Sequence, residues 1–145
     1  MSRFLIFLAL VASSVASVGQ TTPLAPVTNL TSGVVYLTIQ EAVNNAANGD
    51  ELQLASARFE EHVAFNAPVV LLGDPDGLTI IDVSLEDGWG LTLSSDNITI
   101  KDVTVMSGGV NTAYAIHSEP GITGLTIEDV NVLNSSRSCI DLNGL

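Results

Sequence analysis

The sequence predicts an all-β solenoid of stacked short strands, closed at its N-terminal end by one short helix. Three observations predict it. The segment Asn97-Ile-Thr-Ile-Lys-Asp-Val-Thr-Val105 returns 27 residues later as Gly124-Leu-Thr-Ile-Glu-Asp-Val-Asn-Val132. A second motif, Trp89-Gly-Leu-Thr-Leu93, returns as Tyr114-Ala-Ile-His-Ser118 and again as Ser138-Cys-Ile-Asp-Leu142. Repeats of that length, built from strands too short to bury a face alone, mark units that stack to share one core. The third observation is a single amphipathic helix ahead of every repeat.

The N-terminus comes first. Arg3 precedes the apolar run Phe4 to Ala12, followed by Ser13, Ser14, Ala16, Ser17 and Gly19. A basic start, a short apolar stretch and small residues at a cleavage zone describe a signal peptide over residues 1–19, too short to span a bilayer. The protein is therefore expected to be exported, to the extracellular space, the cell surface or a periplasm, with no membrane insertion of the mature chain. Residues 20–33, with Pro23 and Pro26 and no periodicity, read as a leader.

Removal of Arg3 leaves Arg58, Lys101 and Arg137 against 16 acids, a mature net charge of −13. Such a surface argues against nucleic acid and anionic lipid, and would repel a polyanionic sugar unless metal ions intervened. Keeping an exported protein soluble accounts for it as well. Cys139 is the only cysteine, so no internal disulfide can form.

Residues 34–145 form the solenoid. The β-prone run Val34-Val35-Tyr36-Leu37 leads into a helix over about 38–48. There Thr38 and Glu41 fit a capping box, and Ile39, Ala42, Val43, Ala46 and Ala47 share one face. Gly49 follows where a left-handed residue ends a helix. Next come Glu51-Leu52-Gln53-Leu54-Ala55, alternating with period two, and apolar runs at Val69–Leu72 and Leu78–Ile81, separated by Gly- and Asp-rich turns. In the repeats, Ile98, Ile100, Val103 and Val105 should lie beneath Leu125, Ile127, Val130 and Val132, all inward. Outward, Thr99, Lys101 and Thr104 should lie beneath Thr126, Glu128 and Asn131. Asp102 and Asp129 occupy the break between strands, where Asp tolerates unusual backbone angles.

These residues resemble the right-handed parallel β-helix, or pectin-lyase-like, superfamily. The likeness begins at Thr38-Ile-Gln-Glu-Ala-Val43 with Asn48-Gly-Asp-Glu-Leu-Gln-Leu54. It runs through Ala57-Arg-Phe-Glu-Glu-His-Val63, similar to that superfamily's Gly-x-Tyr-x-Glu-x-Val coil, and on into the repeats. Ala57-Arg58-Phe59 departs from Gly-x-Tyr, which weakens the tie to pectin methylesterases. The resemblance implies a right-handed parallel β-helix of about four coils. The chain stops at Leu145 just inside a new coil, which reads as the N-terminal piece of a longer protein, or as an uncapped end available for end-to-end association.

Active sites in that superfamily lie on an outer sheet face, where successive coils build columns of side chains. One column stands out: Thr92, His117 and Asp141 should stack at steps of about 4.8 Å. His117 beside Asp141 could act as a general base or bind a metal. A polar solenoid face explains the column more simply, since no nucleophile or oxyanion donor accompanies it. Asp82, Asp96, Asp102, Asp129 and Asp141 could take Ca²⁺, with Asp102 and Asp129 the metal candidates, but turn chemistry explains most of them. No other cofactor is expected. Lyases of this fold pair calcium with a basic residue, and here the three cations are scattered. The acid and His motifs of the related hydrolases and methylesterases are missing. Trp89, Tyr114 and Phe59 could stack on sugar, yet inward packing is the expectation for all three, and Cys139 reads as structural. Asn29-Leu-Thr, Asn97-Ile-Thr and Asn134-Ser-Ser match the glycosylation acceptor pattern, which alone carries no argument in Asn/Thr-rich coils.

Two functions are compatible with this reading. One is an exported surface or extracellular scaffold that contacts polysaccharide or cell-surface glycan. The other is the N-terminal part of a polysaccharide lyase or pectinesterase-like enzyme whose catalytic coils lie beyond Leu145.

Overall fold

Strands of two to seven residues cannot satisfy their own backbone, so each must find a ladder partner one coil away. The computed structural model describes residues 26–143 except 86 and 109–111, and not the side chains of 112 and 113. The expected signal peptide therefore lies outside the described residues. The chain opens with β1 (Val27–Asn29), β2 (Val35–Tyr36) and α1 (Ile39–Asn45). Twelve strands follow in four groups of three. The first is β3 (Asp50–Leu54), β4 (Arg58–Phe59) and β5 (Val63–Phe65), and the second is β6 (Val69–Leu72), β7 (Ile80–Asp82) and β8 (Gly88–Leu93). The third is β9 (Thr99–Lys101), β10 (Thr104–Met106) and β11 (Thr112–Ser118), and the fourth is β12 (Thr126–Glu128), β13 (Asn131–Leu133) and β14 (Ser138–Leu142).

The first strands of the groups stack as sheet A, β3-β6-β9-β12, the second as sheet B, β4-β7-β10-β13, and the third as sheet C, β5-β8-β11-β14. Every one of these pairings is parallel. The result is a three-sided parallel β-solenoid, as the repeats require. Sheet A is extended at its start by β1 and β2, which pair antiparallel.

Registers follow the sequence pattern. Ile100 pairs with Ile127, Lys101 with Glu128, Thr99 with Thr126, and Thr104 with Asn131. Inward residues build continuous columns: Leu52, Leu71, Ile100 and Ile127 in sheet A, and Phe59, Ile81, Val105 and Val132 in sheet B. Ile98, Ile100, Val103 and Val105 are buried, and Leu125, Ile127, Val130 and Val132 pack against them half-buried. Sheet C carries Phe65, Leu93, Ser118 and Leu142 in one column. Ser118 is tolerated in this apolar row because its hydroxyl accepts the Asn143 N–H at 3.0 Å.

Corners between strands use left-handed backbone. Asp102 and Asp129 have φ of 57° and 50°, as their place between strands predicts, and Asn97 and Asn134 have 56° and 59°. Beneath Asp102 the turn must carry glycine: a Cβ on Gly73 would lie 2.0 Å from the Asp102 carbonyl oxygen.

The cap differs from the sequence reading in four ways. The helix ends at Asn45, with Ala46 as its C-cap, rather than running to 48. Two consecutive asparagines propagate a helix poorly, and the Asp50 carboxylate takes the Ala47 N–H at 2.9 Å to start a turn instead. Gly49 is left-handed, at φ 85°, but serves that turn and not the helix end. The capping box is half made: Thr38 accepts the Glu41 N–H at 3.1 Å, while the Glu41 carboxylate reaches only the Leu37 N–H, at 3.4 Å. Lastly, Val27–Asn29, inside the stretch read as leader, is a strand with Val27 and Asn29 fully buried.

Candidate functional site

The outer face of sheet C gathers the ionisable and aromatic side chains. Strand pairing places His117 between Thr92 of the coil before and Asp141 of the coil after, the column expected from the repeats. His117 Nδ1 lies 3.0 Å from Asp141 Oδ2. A carboxylate oxygen only accepts, so Nδ1 is the protonated nitrogen and the tautomer is set. Asn143 Nδ2 donates to the same oxygen at 3.2 Å, which holds Asp141 toward the ring.

His117 is not the exposed polar residue that the column pattern suggests. Its side chain is only 6% exposed, because two aromatic rings close over it. The Trp89 ring centroid lies 3.9 Å away at 33°, and that of Tyr114 lies 5.5 Å away at 23°. Arg137 places its guanidinium carbon 5.4 Å from the centre of the Tyr114 ring, within cation–π range. Of the three expected aromatic residues, only Phe59 packs inward. Trp89 is 41% exposed and Tyr114 is half-buried. Trp89 stands at the entry of its strand, beside a register irregularity between Thr112 and Tyr114. Next to it, Gly90 is tightly packed: a Cβ there would lie 2.6 Å from Val83 Cγ2 and 2.5 Å from the Ala115 carbonyl oxygen.

The site therefore comprises a flat, partly exposed indole, a phenol, a guanidinium and a carboxylate–imidazole pair on one rigid sheet. Arg58 pairs with Asp82 and Glu60, and Lys101 with Glu128, whereas Arg137 pairs with no acid among the described residues. Cys139, expected to be structural, is exposed.

The remaining acids have local roles. Asp102 and Asp129 line a surface depression of about 410 Å³ with Asp74, Thr104 and Asn131. Among the described residues, no three His, Cys, Asp or Glu side chains come together in a way that would hold a metal ion. Asp74 is held below the usual carboxylate range by the Ser56 hydroxyl and the Asp76 N–H. Asp96 accepts from Thr123, and the buried Asp82 from Arg58 and Ser84. Burial pulls the Asp82 carboxyl upward, but the Ser84 and Arg58 hydrogen bonds and the Arg58 charge outweigh it, leaving it lowered. His62 donates from Nε2 to the Val83 carbonyl at 2.9 Å.

Two residues that the sequence reading passed over organise the entrance of the solenoid. Glu61 accepts the Ile39 and Gln40 N–H groups at 2.8 and 3.0 Å, so its carboxylate closes the helix start. Gln40 in turn bonds the backbone of Ala64. The signal for Glu61 was its place in the Ala57–Val63 motif; Gln40 offered none. No protein-family model, curated protein or solved structure matches this chain.

Proposed function

We propose that this protein is an exported scaffold of the pectin-lyase-like β-helix kind that contacts glycan through the outer face of sheet C. The observation that supports the reading is Trp89, a large aromatic left 41% exposed on a rigid strand, beside Tyr114 and rimmed by Arg137, Asp141 and Asn143. An exposed ring offers an apolar plane to the C–H face of a pyranose, and the rim supplies donors and acceptors for hydroxyls. A net charge of −12 over the whole chain disfavours polyanions at long range, so a neutral oligosaccharide is the ligand class.

Trp89 is the only tryptophan, which makes intrinsic fluorescence a reporter of this one site. Titration with neutral oligosaccharides should shift its emission saturably, and Trp89→Ala should abolish the heat of binding in calorimetry. An emission unchanged by every neutral sugar up to millimolar concentration would remove the reading.

The alternative is the leading part of a carbohydrate-active enzyme with its catalytic coils beyond Leu145. It draws on the 3.0 Å His117–Asp141 contact, since a carboxylate-oriented imidazole is the arrangement of a general base. Release of reducing or unsaturated ends from a polysaccharide panel, lost in His117→Ala with folding unchanged, would favour it over the scaffold.

A further inference from the structure

The geometry points to covalent N-glycosylation at Asn97 and Asn134, and to a purely structural role for the third acceptor triplet at Asn29. The three triplets are equivalent in sequence and differ sharply in surroundings. Asn29 is buried in the cap. Its Nδ2 donates to Asp50 Oδ2 at 2.7 Å, and its Oδ1 accepts the Thr31 and Ser32 N–H groups at 2.9 and 3.0 Å. A sugar on Nδ2 would occupy the space that Asp50 fills and break the turn that joins β1 to β2. Burial does not prevent transfer to an unfolded chain, but a chain so modified could not close its cap.

Asn97 and Asn134 are exposed, each in a left-handed corner between strands. Asn97 sits where the chain passes from sheet C to sheet A. Gly124 of the next coil lies against it: a Cβ there would sit 2.3 Å from Asn97 Oδ1, so glycine leaves room for the amide oxygen. Asn134 sits where the chain passes from sheet B to sheet C. Both corners border the face that carries Trp89, so the two glycans would flank it. The hydroxyl partners of the triplets, Thr99 and Ser136, follow at the required spacing.

The donor class is an oligosaccharide linked through pyrophosphate to a lipid. Nδ2 forms the new bond to the anomeric carbon, the bond from that carbon to the pyrophosphate oxygen breaks, and the lipid pyrophosphate leaves with the electron pair. The proton lost from Nδ2 passes to a base of the transferring enzyme. The inference rests on the export reading, and the test separates the two.

The full chain is produced in a eukaryotic secretory host, once with its own N-terminus and once behind a leader of established function. Cells and medium are both analysed by intact mass before and after enzymatic removal of N-glycans. Two glycans are expected behind the established leader, one in Thr99→Ala, one in Ser136→Ala, and two still in Thr31→Ala. Modification behind the established leader alone supports the sites and overturns the export reading. Absence of glycan at Asn97 or Asn134 behind that leader, or a glycan on Asn29 in the secreted chain, overturns the inference. Because the threonine and serine variants keep all three asparagines, a loss of mass cannot be ascribed to a missing cap.

Discussion

Gln40 and Ala64 are joined by two hydrogen bonds: the side-chain Oε1 accepts the Ala64 N–H at 2.7 Å, and Nε2 donates to the Ala64 carbonyl at 3.2 Å. One amide side chain thus does for β5, the first strand of sheet C, what a neighbouring strand does elsewhere. An unpaired first strand is a template for aggregation, and the solenoid blunts it with a single residue on the cap helix.

Replacing Gln40 by Ala should leave the Ala64 N–H and carbonyl with reduced access to any partner. The expected loss is about 1–3 kcal/mol, the cost of an unsatisfied, part-buried backbone group. Gln40→Glu keeps the acceptor and loses the donor, so it should fall between wild type and Ala. Urea denaturation followed by circular dichroism decides the order.

Glu61→Gln keeps the shape of the helix stop and removes its charge. The Ile39 and Gln40 N–H groups would then meet a neutral oxygen at the positive end of α1, which should cost about 1–2 kcal/mol. Glu61→Ala should cost more and expose the α1 amides to hydrogen exchange. Exchange in Glu61→Gln equal to that of the unsubstituted protein would deny the charge any part.

Stability should fall in acid, for a stated reason. Asp50 is held below the usual aspartate range by Asn29 and the Ala47 N–H; in Asp82 burial acts upward, and Ser84 and Arg58 prevail. A carboxyl whose folded value is depressed contributes its full stability above its ordinary value of about 3.9, and loses it as pH drops through the lower folded value. The urea midpoint should therefore be flat from neutral pH to about 5 and decline below about 4. Arg58→Ala should lower stability near neutral pH and make the acid decline shallower, because the folded Asp82 value then moves back toward the ordinary one and its pH-dependent contribution shrinks. An unchanged profile would dismiss the Arg58 contribution.

Gly73→Ala should be among the most damaging single substitutions. Its Cβ would meet backbone, the Asp102 carbonyl oxygen at 2.0 Å, and Val103 Cγ1 at 2.8 Å, and backbone cannot rotate away. A loss above about 4 kcal/mol, or failure to fold, is expected. A soluble variant with near-native thermal stability would show that the corner can relax.

Much of the solenoid was legible because its information is periodic. Ile100 over Ile127, Lys101 over Glu128 and His117 over Asp141 follow from spacing alone, and the folded registers agree. The cap was not legible to the same depth. Glu61 meets Ile39 22 residues away, and Asn29 meets Asp50 21 residues away, with no repeat to announce either pair. β1 is three residues long, too short for alternation to rise above the surrounding Thr and Pro. Trp89 misled for a different reason. It has the parity of the inward Leu91, but it stands at the strand entry beside a register irregularity between Thr112 and Tyr114, where alternation does not hold.

The parallel registers also govern how the chain reaches this state. Each coil finds its ladder partners 19 to 29 residues away in sequence, and because closure entropy grows only with the logarithm of loop length, adding a coil has a nearly constant entropic cost. The contacts of the cap, Asn29 with Asp50, Glu61 with the start of α1 and Gln40 with Ala64, lie outside that repeating scheme and each closes its own loop of 21 to 24 residues. A stack of this kind is stabilised coil by coil through its neighbours, so lengthening it adds interfaces without adding contacts of greater sequence separation.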